Sequence, residues 1–109
     1  GKFTLGENIG DLGGLTVAHK AYVLSLDGKE APVIDGLTGD QRFFYGWGQI
    51  WARKYRAENL LTRLKTDPHS PSEQRTNGTP VNIPAFYSAF GVKEGDKMFK
   101  PEAERITIW

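Results

Sequence analysis

The chain has 109 residues, of which 39% are hydrophobic and 25% charged, and this composition is typical of one modest globular domain. Lys and Arg number 14 against 13 Asp and Glu, so the formal charge of +1 provides no strongly basic face and argues against nucleic acid as a partner. The lack of cysteine excludes disulfides and thiolate metal sites, and no apolar run reaches the roughly 18 residues of a membrane-spanning helix.

The first candidate site lies near the N-terminus. Residues 6–26 have helical spacing, and Glu7, Asp11, Gly14 and Ala18 fall in one stripe about 60° wide. Because small side chains let another backbone come close, we expect both carboxylates to lie against a neighbouring element. A helical Glu in such a place suits a hard or borderline cation, and an Asp one turn later can orient another ligand. An adjacent apolar face is predicted from seven larger residues, namely Leu5, Ile9, Leu12, Leu15, Tyr22, Val23 and Leu26.

The same residues have a second interpretation as a helix cap. The pattern Thr4-x-x-Glu7 is a capping box, in which both side chains satisfy unpaired backbone N–H groups. Three glycines in the segment, Gly10, Gly13 and Gly14, each cost about 1 kcal/mol relative to Ala within a helix. They favour the site interpretation, because a segment that had only to be helical has little reason to carry them.

A strongly aromatic helix is predicted in the middle of the chain. Thr38-x-x-Gln41 is a second capping box at its start. The segment's large residues cover nearly all sides of a helix, so we expect burial all round; they are Phe43, Phe44, Tyr45, Trp47, Ile50, Trp51 and Tyr55. A shorter amphipathic helix follows over 56–65, with three leucines predicted inward, namely Leu60, Leu61 and Leu64.

The second candidate site lies on a long loop predicted over 67–79, which contains His69 and Arg75. Such a pair can stabilise a developing oxyanion and hold a carbonyl, the imidazole as a donor and the guanidinium as a charged fork. Alternatively, His69 bonds only within the loop and Arg75 pairs with Glu73 or Asp67. The other histidine, His19, is interpreted as structural.

The last part of the chain is predicted to hold one short helix. Asn82 is expected as its N-cap, Pro84 in its first turn and Gly91 as its end. The tail from Val92 onward is rich in turns, and its apolar final residues are expected to pack back onto the body of the chain. Because no initiator Met or lead-in precedes the acidic stretch, we expect the chain to be a piece of a longer protein.

Several motifs together resemble the neprilysin family of zinc metallopeptidases, which includes neprilysin, the endothelin-converting enzymes and bacterial oligopeptidases. The resemblance extends over essentially the whole chain, and its order and spacing are more specific than any one motif. The motifs are Glu-Asn-Ile-Gly-Asp at 7–11 with Gly-Gly-Leu at 13–15, Arg-Phe-Phe at 42–44, Gln-Ile-Trp at 49–51, Asp-Pro-His-Ser-Pro at 67–71 with Arg75, and Ile-Thr-Ile-Trp at the end.

The resemblance implies a role for each matching residue. It implies that Glu7 is the third zinc ligand and that Asp11 holds one of two zinc-binding histidines. It implies that His69 donates to the oxyanion of the tetrahedral intermediate and that Arg75 holds a backbone carbonyl of the substrate. Two further positions, Ile50 and Trp51, match the lining of the pocket for the residue just after the scissile bond. One departure is mild, a Gly at position 10 where the family usually has Ala.

The implied fold is mainly α, the C-terminal helical part of a thermolysin-like (gluzincin) catalytic domain with long irregular loops, as a single unit over 1–109. The implied cofactor is Zn²⁺ in the parent enzyme, and the implied partners are oligopeptide substrates and the remainder of the catalytic domain. The missing cysteine pairs point to a bacterial-type parent, in the periplasm, secreted or tethered to a membrane, with the cytoplasm as an alternative.

The motif His-Glu-x-x-His, which supplies two ligands and the general base in this class, does not occur in the chain. We therefore expect the isolated chain to be inactive, to bind zinc weakly and to self-associate through uncovered apolar surfaces. The competing hypothesis is a non-catalytic helical interaction module, in which the aromatic helix binds a partner and both acidic motifs are caps. An independent small enzyme using His69 is disfavoured, because no nucleophile or paired acid lies near it in sequence.

Overall fold

Helices account for most of residues 2–108, which are the residues described by a computed structural model of the chain. The α-helices there are α1 (Leu5–Ser25), α2 (Gly39–Ile50), α3 (Ala57–Thr66), α4 (Ser72–Gly78) and α5 (Pro84–Phe90). Short 3-10 helices span Lys2–Thr4, Pro80–Asn82 and Glu102–Glu104, and an isolated antiparallel bridge joins Ile34 to Leu37. The mainly α class is therefore confirmed. Gly1 and Trp109 lie outside the described residues. Trp109 is the last residue of the Ile-Thr-Ile-Trp motif.

The core lies where α1, α2 and α5 meet. Leu12 and Leu15 of α1 pack against Phe44 of α2 and against Ile83 and Phe86 at the start of α5. The rings of Phe44 and Phe86 meet edge to face with centroids 5.5 Å apart, which is a favoured geometry for aromatic pairs. These contacts fix the direction of α1 relative to α2, and so position the N-terminal turns of α1.

The connection between α1 and α2 is held by local turns and by the start of α2. The predicted capping box is confirmed, because Thr38 accepts from the backbone N–H of Gln41 and Gln41 accepts from that of Thr38. Gly39 is required here by a close approach, since a Cβ at this position would lie 2.0 Å from the Tyr22 hydroxyl. His19 lies nearby, 3.0 Å from Asp40 and stacked on an aromatic ring of α2, in the structural position that the sequence predicts.

Part of the predicted loop over 67–79 is helical. Pro71 has a φ of −55° and immediately precedes α4, and the buried Ser72 begins that helix. Asn77 and Gly78, which lie within the predicted loop, are the last residues of α4. The prediction was wrong because turn residues outnumber apolar ones in this segment, while tertiary contacts stabilise its short helix. Arg75 consequently lies on a helix, whereas His69 lies in the remaining loop.

Burial was overestimated in several helices. In α3, Leu61 is 60% exposed and Leu64 is also exposed, so two of its three leucines do not point inward. In α2, Phe44 is buried but Tyr45 is exposed, so burial is not all round. The predicted apolar face of α1 is buried only at its centre, and three of its members are exposed, namely Leu5, Ile9 and Val23. The described residues supply no element that covers these side chains.

The end of the chain packs on α5. Gly91 adopts the left-handed conformation and ends α5, as predicted. The predicted N-cap is wrong, because Ile83 occupies that position and Asn82 belongs to the preceding 3-10 helix. The side chain of Asn82 instead accepts from Lys100 and from the backbone of Ile106, and so holds the tail against the body.

Among the described residues, none of the helices combines the length and apolar character needed to cross a membrane.

Candidate functional site

The predicted site residues come from three parts of the fold. Glu7 and Asp11 lie in the first turns of α1, His69 lies in the loop before α4, and Arg75 lies on α4 itself. Contacts between these elements join residues that are more than 60 positions apart in sequence. The fold therefore brings four of the six predicted residues together at the N-terminal end of α1, and a fifth, Trp51, lies against Arg75.

His69 lies between two carboxylates. Its Nδ1 is 2.7 Å from Oδ1 of Asp67, and its Nε2 is 3.1 Å from Oε2 of Glu7. Because a carboxylate can only accept, both contacts are hydrogen bonds at once only when both ring nitrogens carry a proton. The backbone N–H of His69 also donates to Oδ1 of Asp67, which holds the ring and the loop in one orientation. The arrangement directs the Nε2 edge of the imidazole toward Glu7.

Asp67 is the residue that orients this loop. Besides its bonds with His69, its Oδ2 accepts from Arg63 on α3 at 2.5 Å. The backbone and side-chain hydrogen bonds from His69, followed by the bond from Arg63, hold the pKa of Asp67 far below its ordinary value of 3.8. The alternative prediction that His69 bonds within its own loop is thus correct, and its Nε2 makes a further ion-pair contact with Glu7.

The lowered pKa of Asp67 predicts a specific pH dependence of stability. A carboxyl whose folded pKa is depressed stabilises the fold above its unfolded pKa, and this contribution is lost as the pH falls toward the folded value. We therefore expect Asp67→Asn to lower the free energy of unfolding most at pH 6–7, with the difference from wild type shrinking below about pH 4. Urea unfolding at pH 6 and pH 3 measures it, and an equal difference at both would exclude an ionic origin.

Arg75 is held by Asp11 through two parallel hydrogen bonds. Its Nε donates to Oδ2 and its Nη2 to Oδ1, both at 2.6 Å, and the two side chains are only 12% and 10% exposed. Its hydrogen bonds to the Asp11 carboxylate raise the pKa of Arg75, against the effect of burial. Arg75 therefore pairs with neither Glu73 nor Asp67, contrary to the alternative prediction. Two of its five N–H donors are used, so the Nη1 edge is left for another acceptor.

Breaking this pair is expected to cost stability. Either Arg75→Gln or Asp11→Asn leaves a buried ionic group without its partner, which costs about 3 kcal/mol. The double variant should lose less than the sum of the two, with a coupling free energy of about 1–3 kcal/mol in urea unfolding. An exposed cation change, Lys54→Gln, serves as the control and should stay within about 0.5 kcal/mol of wild type. Additive losses would mean that the two side chains do not interact.

Trp51 lies at the C-terminal end of α2 and contacts Arg75 with its ring face. The guanidinium carbon of Arg75 is 3.8 Å from the ring centroid, a cation–π geometry. The indole N–H of Trp51 is buried and has no hydrogen-bond partner, so placing the ring there costs the hydrogen bond that this N–H would make with water. Ile50, the other residue that the resemblance implies for the substrate pocket, is 59% exposed and does not line the cavity beside His69.

That cavity has a volume of about 300 Å³ and is open to solvent. It is mainly polar, and its lining includes Trp51, His69 and Arg75 together with residues that the sequence did not suggest. The Tyr55 hydroxyl is 2.7 Å from the hydroxyl of the buried Ser72, and this hydrogen bond lowers the pKa of Tyr55. Arg53 is a further lining residue. Tyr55 and Ser72 could not be identified from a local pattern because they are 17 residues apart, whereas Arg53 lies two residues after Trp51 and contacts its ring.

Ser70 forms a second link between the loop and α1. Its hydroxyl donates to Oδ1 of Asn8 at 2.8 Å, one residue beyond Glu7. Asn8 belongs to the motif at 7–11 that the sequence analysis singled out, but its partner Ser70 could not be inferred from the sequence. The Thr4 side chain makes no capping hydrogen bond, so the capping box predicted with Glu7 is not formed.

Glu7 fits a metal site as a single ligand. Its side chain is 48% exposed, and its carboxylate retains lone pairs beyond the one directed at His69. A Cβ added at Gly10 or Gly14, on the same face of α1, would meet no atom within 4 Å, so space for another element remains beside it. Residues 2–108 contain no group of three or more His, Asp or Glu side chains arranged to hold a metal ion. The donor chemistry suits zinc, and further ligands would have to come from other polypeptide.

Comparison with known proteins gives a consistent result across sequence and structure. The profile of Peptidase family M13 matches residues 1–106. Neprilysin-1 of Caenorhabditis elegans is 40% identical over 114 residues, which cover 100% of this chain and 15% of that protein. Neutral endopeptidase of Lactococcus lactis subsp. lactis (strain IL1403) is 37% identical over 109 residues, which cover 100% of this chain and 16% of that protein.

A solved structure of the zinc metalloprotease Zmp1 of Mycobacterium tuberculosis in complex with an inhibitor matches 98% of this chain and 16% of its own. The sequence identity is 59% and the TM-score is 0.96. The chain thus spans 15–16% of the length of each of these three proteins.

Proposed function

The chain belongs to peptidase family M13, and from this premise we propose that it is the C-terminal part of the catalytic domain of a zinc metalloendopeptidase that hydrolyses peptide bonds in oligopeptides. One observation carries the proposal. Glu7, Asp11, His69 and Arg75, which the family resemblance implies as functional, meet at one end of α1 although they come from separate elements. A helical interaction module would need none of these pairings.

Glu7 would hold the zinc ion as one of its protein ligands. When bound, zinc polarises a peptide carbonyl and lowers the pKa of its water. Two histidines and a general base would come from a His-Glu-x-x-His helix elsewhere in the parent protein. We infer that the isolated chain, with one such carboxylate, does not hydrolyse peptides and binds zinc weakly.

His69 would stabilise the negative charge that develops on the carbonyl oxygen. Asp67 holds the Nδ1 edge of the ring at 2.7 Å, so the Nε2–H is the edge that can donate to substrate. The backbone bond from His69 to Asp67 and the bond between Ser70 and Asn8 keep the loop from turning away. A donor held in place before the reaction needs no reorganisation when the oxyanion forms.

Arg75 would position the substrate backbone. With the N–H of Nε and one N–H of Nη2 engaged by Asp11, three N–H donors remain, and two of them are on Nη1, which would donate to a substrate carbonyl. The Trp51 ring covers one face of the guanidinium and restricts it to this orientation. Asp11 thus holds the substrate-binding arginine in this chain, in addition to the implied role toward a zinc-binding histidine.

The exposed apolar side chains support the proposal that other polypeptide covers this chain. Leu61 and Leu64 of α3, and Leu5 and Ile9 beside Glu7, are all more than 40% exposed. We propose that the remainder of the catalytic domain packs on these faces, and that the isolated chain self-associates through them. The cellular location of the parent stays a prediction.

The full-length gene provides the test. We expect it to encode His-Glu-x-x-His upstream of this chain. The purified full-length protein should cleave an unstructured peptide, lose this activity on treatment with a zinc chelator, and regain it on addition of zinc. A gene without the motif, or hydrolysis that is indifferent to chelation, would contradict the proposal.

A further inference from the structure

The cavity beside His69 contains a cation that the proposed mechanism does not use. Three arginines line this space, namely Arg53, Arg63 and Arg75. Arg63 is paired with Asp67 and Arg75 with Asp11. Within the described part of the chain, residues 2–108, no carboxylate lies within ion-pair distance of Arg53. Its charge is therefore the one in this cavity without a neutralising partner.

Arg53 is held close to the substrate-positioning arginine. The guanidinium carbons of Arg53 and Arg75 lie 5.5 Å and 3.8 Å from the ring of the same tryptophan, Trp51. Both arginines line the same cavity, so an anion inside it would be attracted by both positive charges. The cavity has a mainly polar lining and a volume of about 300 Å³, which is enough for a carboxylate group.

The position of this cation restricts which anion can reach it. His69 and Arg75 line the same cavity, and the proposed function assigns them to the carbonyl oxygen under attack and to the substrate backbone. Trp51 contacts both arginines, and the family resemblance implies that it lines the pocket for the residue just after the scissile bond. A carboxylate carried by the substrate itself would therefore meet Arg53 when the peptide lies along Arg75.

We propose that Arg53 forms a subsite for a carboxylate of the peptide substrate, on the side that follows the scissile bond. This inference rests on the proposed function. The carboxylate is supplied either by an acidic side chain or by the C-terminal end of a short peptide, since both present the same two acceptor oxygens to a guanidinium fork.

Matched peptides and variants of the full-length enzyme test the subsite. One pair of peptides differs by Glu against Gln at a position after the scissile bond, and a second pair by a free C-terminus against an amide. Arg53→Gln should lower kcat/KM about tenfold for the peptide that carries the responsible carboxylate and less than twofold for its neutral counterpart. Arg53→Lys should retain part of the preference, because the charge remains and the fork is lost.

Lys54→Gln is the matched control, since Lys54 is exposed, adjacent in sequence and absent from the cavity lining. It should change kcat/KM less than twofold for all four peptides. The pair whose preference disappears in Arg53→Gln identifies the source of the carboxylate. Equal losses on charged and neutral peptides, or no loss at all, would overturn the subsite.

The wild-type enzyme gives an independent measurement that does not depend on a variant. It should prefer the charged member of one pair by about tenfold, and raising the ionic strength should weaken this preference. If the wild type cleaves both members of each pair equally, the subsite is wrong while the proposed function stands. If it cleaves none of the four peptides, the proposed function is wrong and the subsite is refuted with it.

Discussion

Glu7→Gln in the full-length enzyme is expected to release zinc. Protein zinc sites bind with about 10–16 kcal/mol of apparent free energy, so the loss of one anionic ligand among three should cost about 3–4 kcal/mol. This corresponds to a zinc affinity weaker by a factor of roughly 150 to 800. Metal content after dialysis against a weak chelator measures the effect directly, without reliance on activity. Activity at low zinc should be lost in parallel.

Glu58→Gln makes the same chemical change in the first turn of α3, away from the site, and serves as the control. It should leave metal content at the wild-type level. Retention of stoichiometric zinc by Glu7→Gln at wild-type affinity would show that Glu7 is not a ligand. It would leave its contact with His69 as the role that the geometry supports.

His69→Ala is expected to reduce kcat by a factor of about 100 to 1,000, with KM changed less than about threefold. Removing one preorganised donor to an oxyanion has an effect of this size, because the donor acts mainly in the transition state. The Asp67 and Asn8 contacts hold the loop through the backbone of His69 and the side chain of Ser70, so the substrate-binding surface should persist. Steady-state kinetics on one peptide provide both constants.

His19 is a suitable histidine for comparison, because it packs on aromatic rings of α2 and bonds to Asp40 outside the site. His19→Gln should lower the melting temperature and leave kcat within about twofold of wild type. If His69→Ala instead raised KM strongly at unchanged kcat, His69 would bind the ground state and transition state equally, and its proposed role would be wrong.

Helix boundaries were predictable where a single residue decides them. The capping box of Thr38 and Gln41 starts α2, and Gly91 ends α5 in the left-handed conformation that it adopts at little steric cost. The helix predicted from about residue 6 to 26 corresponds closely to α1. These features rest on contacts within three or four residues, and such contacts can be recognised from the order of residues alone.

Local patterns were misleading where a distant partner competes. Thr4 and Glu7 have the spacing of a capping box, yet the Glu7 carboxylate lies 3.1 Å from Nε2 of His69, 62 residues further along the chain. Asp67 is closer to Arg75 in sequence than Asp11 is, yet Asp11 forms the bidentate pair. Both cases have the same cause, because an ion pair is decided by which elements pack together.

By itself, the sequence determined the helical class, the principal boundaries and, through the resemblance to one family, the residues that converge at the start of α1. The tertiary structure alone decided the short helix α4, the exposure of Leu61 and Leu64, and the long-range pairs of Asp11 with Arg75 and of Glu7 with His69. Hydrogen bonds and charges act over a few ångströms. Their pairing is therefore set by the non-local burial of Leu12, Leu15 and Phe44, which fixes the approach of α1 to the rest of the chain.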